Sequence, residues 1–483
     1  MPPPRDEIMR RSSNVLWATI ATIILFVLSP MGLVRAETVG RNIDITRMND
    51  PNDLPQMETM IAVDPTNPSI LVTGAIDARL FIEGGNSWLG YYRSTNGGKT
   101  WDVSLLPGFP GDTSPEGLAS PLSIFFQAVD PVLAFDKSGN VFYTGIATRL
   151  FETGLAGHFG AKIFVATYVD HGATYQSTIL FDIPGNHDKP WIAVDTSENP
   201  ETGGNVYVVW TGSREGPDFS QVGHKTLFSR STDHGATFST ATEISGMPGL
   251  FSAVTVDPMG NVFVSAVNSH GSQQLLVARS TDGGLSFDRP VKAASLFPSS
   301  SLGSVVLPEN IFKKPLIPQL AADENGEYVV WDDFKTRDTD VLFIGSTDGG
   351  KTWSDPVVVN DVRTGHQFFP TIAVSGGRIS VAWYDSRLDD GGRIEELHVF
   401  YAQSTDGGVS FSANLRITDV GFDPNVFVLF TDLGLAFIGD YIHIAATPEK
   451  AHVIWADTRN ACNVIFEPFG CVDVDVFTAA IRF

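Results

Sequence analysis

Residues 344–356 read IGSTDGGKTWSDP, a Ser-Thr-Asp-Gly-Gly turn set directly before a Lys-Thr-Trp segment. Asp can accept backbone N–H groups within its own turn, Gly supplies positive φ, and an aromatic just beyond packs across the hairpin. The skeleton is a small or hydroxyl residue, Asp or Asn two later, Gly four later and an aromatic seven later. It recurs at Ser94–Trp101, Tyr168–Tyr175, Ser231–Phe238, Ser280–Phe287, Ser346–Trp353 and Ser404–Phe411. Six copies at successive offsets of 74, 63, 49, 66 and 58 residues mark a repeat architecture. Asn96, Asp170, Asp233, Asp282, Asp348 and Asp406 are its acidic or amide positions, and local side-chain-to-backbone bonding accounts for them as architecture.

Each turn sits late in a larger unit, clearest over residues 367–419. FPTIAVSGG, RISVAWYDS, LHVFYAQS and FSANLRITD follow one another as four antiparallel strands, one blade of an all-β propeller. First strands of the IAVD type begin at Ile61, Leu133, Ile192, Val254, Leu320, Ile372 and Ile444, which makes seven blades. The last unit ends after three strands. Ile43 to Thr46 are therefore expected to supply its fourth and close the ring, removing exposed edges.

Second strands align at nine residues, from LVTGAIDAR at Leu71–Arg79 to AHVIWADTR at Ala451–Arg459. All seven end on a basic residue: Arg79, Arg149, Arg214, His270, Lys335, Arg387 and Arg459. Asp77, Asp333, Asp385 and Asp457 stand two positions earlier, whereas Arg149 and Arg214 have Ala147 and Gly212 there. Antiparallel connectivity puts the repeated turns on one face, the bottom, and the basic ends with the long inter-blade connections on the other, the top. Glu58, Asp130, His187, Asp188, Lys189, His366, Gln367, Asp440 and Tyr441, which precede first strands, should converge there too. Two readings of the basic ends stand open. They are ring-stitching partners of the aspartates, or they receive an anionic ligand, for which Arg79, Arg149 and Arg214 are the better candidates.

Residues 1–36 read as an export signal, with Arg5, Arg10 and Arg11 before the apolar run Val15–Leu28 and Val34-Arg35-Ala36 as a cleavage site. An uncleaved anchor is the alternative. The mature chain, 37–483, is expected to be a single secreted or periplasmic propeller domain without a membrane span. Formal net charge is −23 for the whole chain, and the signal carries four arginines against Asp6 and Glu7, so the remainder is more acidic still. That balance argues against nucleic-acid or anionic-membrane binding. Cys462 and Cys471 are the only cysteines, and in an exported chain a disulfide is the default expectation. No metal site or cofactor is expected.

The turns, with DKPWIAVD, FFPTIAVSGGRISVAWYDSR and VIWADTR, resemble the sialidase superfamily, whose Asp-box (BNR) repeat has the form Ser-x-Asp-x-Gly-x-x-Trp. These segments look like exported bacterial sialidase-like propellers, and the repeats extend over nearly all of the mature chain. It implies a glycoside hydrolase of exo-sialidase type, with three arginines clamping a carboxylate, a Tyr nucleophile with a Glu partner and an Asp acid/base. Carried onto this sequence, Tyr441 with Asp440 is the nucleophile-like position and Asp188 a further carboxylate. Arg79, Arg149, Arg214, Arg387, Arg459, His187, Lys189 and His366 are candidate ligand contacts. Two departures stand out: the family's early Phe/Tyr-Arg-Ile/Leu-Pro motif is absent, and the family has six blades, which keeps a six-bladed ring as the alternative.

Two functions compete. One is binding or hydrolysis of a glycan or polysaccharide, with an anionic one expected. The other is a noncatalytic platform that presents top-face loops, with Phe427, Phe430 and Phe437, to a protein partner.

Overall fold

A computed structural model of the chain describes residues 37–47, 54–81, 86–149, 161–213, 223–268, 273–297, 314–335, 338–426, 428–430, 435–461, 465–466, 470–471 and 473–483; for 248, 428–430, 435, 465–466 and 470–471 it describes the backbone alone. Val39–Arg482 forms one compact unit. The expected export signal, Arg214, His270, Phe427 and Cys462 lie outside the described residues, as does the side chain of Cys471.

The described residues build seven antiparallel blades. Blade 1 runs Gln56–Val63, Leu71–Asp77, Trp88–Ser94 and Asp102–Leu105, and blade 2 runs Gln127–Phe135, Val141–Thr148, Lys162–Val169 and Thr174–Leu180. Blade 3 is Asn186–Val194, Val206–Ser213, Lys225–Ser231 and Thr242–Pro248; blade 4 is Leu250–Val256, Val262–Asn268, Gln274–Ser280 and Val291–Ser295. Blade 5 is Gln319–Asp323, Gly326–Asp333, Asp340–Ser346 and Val357–Val358; blade 6 is Gln367–Ser375, Arg378–Asp385, His398–Ser404 and Leu415–Arg416. Blade 7 has His443–Ala446, Lys450–Asp457 and Asp475–Arg482. Its outer edge is closed by Ile43–Asp44, which pairs with Thr478 and Phe477. Seven blades and closure by the amino-terminal strand are thus as the repeat count requires. Among the described residues no helix is long and apolar enough to cross a membrane.

Second strands are buried along their whole length because each is flanked by its own sheet and by the faces of neighbouring blades. This is why they read as near-continuous apolar runs rather than alternating ones. Trp210, Trp331, Trp383 and Trp455, one per strand in blades 3, 5, 6 and 7, are fully buried.

The repeated turn is built as its residue types demand. In the copy at 346, Gly350 N donates to Ser346 Oγ (2.9 Å), Thr352 N donates to Asp348 Oδ1 (2.9 Å) and Thr352 Oγ1 to Asp348 Oδ2 (2.7 Å). Such donors from Thr237, Thr352 and Ser410 hold Asp233, Asp348 and Asp406 down at about 2. The aromatic, however, mostly reaches the preceding blade rather than across its own hairpin. Phe238 meets Phe181 edge-on at 5.2 Å, Phe287 meets Phe228 at 4.9 Å and Phe411 meets Phe343 at 5.2 Å. Tyr175, in the degenerate copy, instead stays within its blade, on Tyr168. The turn backbone is held from the same side: Tyr91 Oη donates to Gly172 O (2.6 Å), and Arg230 Nη1 to Gly283 O (2.6 Å). Each turn is therefore a clasp between blades.

Gly408 shows why the fourth position must be glycine. Its φ is +85°, and a Cβ there would overlap the Phe343 ring of blade 5. Gly408→Ala is expected to lower stability by about 2–4 kcal/mol through left-handed strain and overpacking, measured by chemical denaturation; Val409→Ala, on an exposed neighbour, should be nearly neutral.

Candidate functional site

The top face holds two constellations, one around the rim of the second strands and one on the ring axis.

On the rim, an Asp two residues before the basic end terminates the strand by accepting N–H groups. Arg387 N donates to Asp385 Oδ1 (2.8 Å) and Arg459 N to Asp457 Oδ1 (2.9 Å). The Trp four residues before the basic end uses the other oxygen: Trp383 Nε1 to Asp385 Oδ2 and Trp455 Nε1 to Asp457 Oδ2, both 2.8 Å. The guanidinium then folds back onto the same carboxylate. Arg387 donates to Asp385 through Nε (2.9 Å) and Nη2 (2.7 Å) and also reaches Asp361 and Asn414 in neighbouring connections. Arg459 clasps Asp457 and reaches Asp419 and Asn42. Arg79 clasps Asp77, whose second partner is Tyr92 Oη (2.5 Å) in place of a tryptophan. For both Arg387 and Arg459, burial would lower the guanidinium, but these carboxylates hold it raised.

Arg149 and Lys335 differ. The exposed Arg149 lies over the Phe125 ring at 5.4 Å, and the Lys335 ammonium over the Phe297 ring at 5.3 Å. Neither has a carboxylate partner among the described residues. Asp333, two residues before Lys335, accepts instead from Trp331 Nε1, Phe297 N and Lys335 N. In blade 3, where Gly212 replaces the aspartate, His187 takes over its acceptor role. Trp210 Nε1 donates to His187 Nδ1 (3.2 Å), and His187 Nε2 donates to Ile183 O (3.2 Å). Burial lowers the His187 pKa, which keeps that acceptor nitrogen unprotonated. His366 Nδ1 accepts from Thr339 N (3.2 Å), its pKa likewise lowered by burial. Asp188 stands half-buried between the rim and the axis.

On the axis, the inner strands of blades 1, 2, 3, 4 and 6 each carry a bulge at the same level. At each bulge a non-glycine residue adopts positive φ: Glu58 (56°), Asp130 (59°), Lys189 (46°), Phe251 (56°) and Phe369 (51°). Asp130, Lys189 and Phe251 of these line one small void beside Tyr441. Lys189 Nζ lies 2.7 Å from Asp130 Oδ1, 2.8 Å from Asp440 Oδ2 and 3.1 Å from Glu58 Oε1, so one ammonium ties together blades 1, 2, 3 and the approach to blade 7. Burial alone would lower Lys189, but Asp130, Asp440 and Glu58 hold it well above its usual range. Burial also pushes Glu58 well above the usual carboxylate range, helped by the charges of Asp130 and Asp440.

Tyr441 is buried, donates its hydroxyl to Pro131 O (3.0 Å), and is pushed well above its ordinary pKa by that burial. The void beside it is about 10 Å³, room for one water. Below lies an axial channel of about 310 Å³. Among the described residues no group of three or more His, Cys, Asp or Glu is placed to hold a metal; at the axis the Lys189 ammonium occupies the position a cation would take.

Thus Glu58, Asp130, Lys189, Asp440 and Tyr441 converge, as their place before first strands implies, while His187, His366 and the arginines remain on the rim. Phe251, Phe369 and the bulges were not visible beforehand, since no residue type announces them. Phe437, expected on an exposed loop, is buried in the core.

No known family's sequence profile matches this chain, and no curated protein matches it. Similar solved structures include a protein of unknown function from Dyadobacter fermentans (13% identity over 93% of this chain and 100% of that one, TM-score 0.46). They also include a Hadza microbial sialidase (14%, 74% and 66%, TM-score 0.45) and an ulvan lyase of the polysaccharide lyase class (11%, 71% and 78%, TM-score 0.42). The chain spans 66% of the length of that sialidase. Site assignment here rests on this chain's own residues.

Lys189→Met would leave three buried carboxylates without their cation. It is expected to cost about 3–5 kcal/mol at neutral pH, measured by chemical denaturation, with the deficit shrinking toward pH 5 as the orphaned carboxylates take up protons.

Proposed function

We propose that this chain is an exported propeller that binds a glycan on its top face without hydrolysing it. The observation that carries this reading is the division of the rim. Arg79, Arg387 and Arg459 are consumed by carboxylates, whereas Arg149 and Lys335 lie over an aromatic ring with no carboxylate partner among the described residues. At Lys335 a cation on an exposed aromatic ledge suits an acidic or sulfated sugar, since the ring takes the apolar face of a pyranose while the cation meets the anionic substituent; at Arg149 the Phe125 ring is buried and the guanidinium alone is offered. Phe297 is 46% exposed and so open to such stacking.

Hydrolysis of the sialidase type would need three converging guanidinium groups and a free tyrosine hydroxyl. Arg79, Arg387 and Arg459 sit on separate blades with their own aspartates, and the axial void beside Tyr441 is too small for a sugar ring. Tyr441, Asp440 and Lys189 therefore serve as the axle of the ring, and His187 and His366 as buried acceptors, in this reading. The amino-terminal segment, read as an export signal, would place the ligand outside the cytoplasm.

A second reading, a docking face for a protein partner, is favoured by one observation. Of the eight large hydrophobic residues that stand exposed among the described ones, Leu118, Ile124, Phe297, Leu388 and Val420 belong to top-face connections.

A glycan array spanning sulfated, uronate-bearing, sialylated and neutral sugars, run with a fluorogenic sialoside assay, separates the readings. Retention of an acidic or sulfated glycan without sialoside turnover is expected. Arg149→Met and Lys335→Met should weaken that retention at an unchanged melting temperature, while Arg387→Met should cost about 1–3 kcal/mol of stability by stripping Asp385 of its guanidinium. Sialoside turnover would overturn the binding-only reading, and an array with no retained glycan would favour the protein partner.

A further inference from the structure

Ring closure brings two carboxylates onto a single amide. Asp44 lies in the closing amino-terminal strand, and Asp475 begins the strand it pairs with. Asn460 Nδ2 donates to Asp44 Oδ2 (3.0 Å) and to Asp475 Oδ2 (2.7 Å), so the two oxygens face each other across one donor. Thr46 completes the joint: its hydroxyl donates to Asp475 Oδ1 (3.0 Å) and accepts from Val476 N (3.1 Å), while Thr46 N and Arg47 N donate to Asp44 Oδ1 (3.2 and 3.0 Å). Asp475 is 3% exposed.

Among the described residues none offers Asp475 a counter-charge. Asp457, opposite it in the ladder, is another carboxylate and is claimed by Arg459. From blade 1 the neighbouring group is the uncharged Gln56, whose N–H donates to Val474 O. Arg47, on the closing strand, acts on Asp44 rather than on Asp475. Among the described residues neither Asp44 nor Asp475 has an ion-pair partner.

We propose that this seam is an acid-tightened latch, in which one proton taken up by the Asp44–Asp475 pair keeps the amino-terminal strand docked and its loss as pH rises loosens ring closure. The charge arithmetic agrees. Burial first, then the negative charge of Asp44, lift Asp475 to about 7, and burial also raises Asp44. When the strand undocks, Asp475 returns to the ordinary carboxylate range. The docked state therefore binds the proton more tightly. Its contribution is complete below that ordinary range, declines as pH climbs toward 7, and is flat above.

Hydrogen exchange of the full chain, followed by mass spectrometry from pH 5 to 8.5 and corrected for intrinsic exchange, reads the latch directly. Protection of the 38–47 segment should fall by about tenfold per pH unit between pH 5 and 7 and then level off, while the 206–213 strand keeps its protection. Asp475→Asn should make the 38–47 profile flat, and Asp44→Asn, should the first not fold, should move the fall to lower pH. A flat profile in the unaltered protein, a fall that persists in folded Asp475→Asn, or a fall that Asp44→Asn leaves in place would overturn the latch. So would parallel loss of protection at 206–213, because it would mark a global rather than a local effect.

Discussion

One ammonium holds the centre of this molecule. Lys189 reaches carboxylates that arrive from three other parts of the ring, and it is nearly sealed from water. A buried cation is costly unless its partners are close and several, and here the partners are brought by separate blades that have no covalent reason to meet. Three carboxylates against one ammonium still leave negative excess, which the raised proton affinity of Glu58 relieves. The five left-handed bulges are the backbone counterpart of this arrangement. Strained positions of this kind persist only where surrounding packing over-determines them, and seven inner strands converging on one axis supply that packing.

From the axis outward, the ring is joined by different chemistry at each radius. Midway, second strands pack apolar faces between blades. On the bottom, the repeated turns lock onto the preceding blade through an aromatic edge and donors to glycine carbonyls. On the top, Arg387 and Arg459 reach from their own aspartates into neighbouring connections. At the seam, the short Ile43–Asp44 strand and an acid pair finish the circle. The bottom is thereby committed to assembly, and the top retains the groups that assembly leaves over.

What remains on top is selective. An arginine with an aspartate two residues earlier is folded back and spent; one without it, as at Arg149, rests on an aromatic ring. Lys335 shows that this rule is incomplete, since its aspartate is satisfied by backbone and indole donors and leaves the ammonium beside Phe297. His187 shows the converse, a ring nitrogen doing the work of a missing carboxylate.

Much of this was legible in the chain itself. Spacing of the turns, the first-strand pattern and the three-strand last unit determined seven blades and the partner of the amino-terminal strand, because each is a local signal repeated at fixed intervals. Sorting top from bottom followed from antiparallel connectivity alone. The tertiary structure decided what local pattern cannot encode. That Glu58, Asp130, Lys189 and Asp440 share one ammonium depends on four distant segments meeting at an axis. That the turn's aromatic grips the blade before it, that Lys335 finds no carboxylate among the described residues, and that Asp44 and Asp475 share one amide depend on which groups closure brings within hydrogen-bond reach. Pairing energies act over a few ångströms, and sequence distance says nothing about them until the ring has closed.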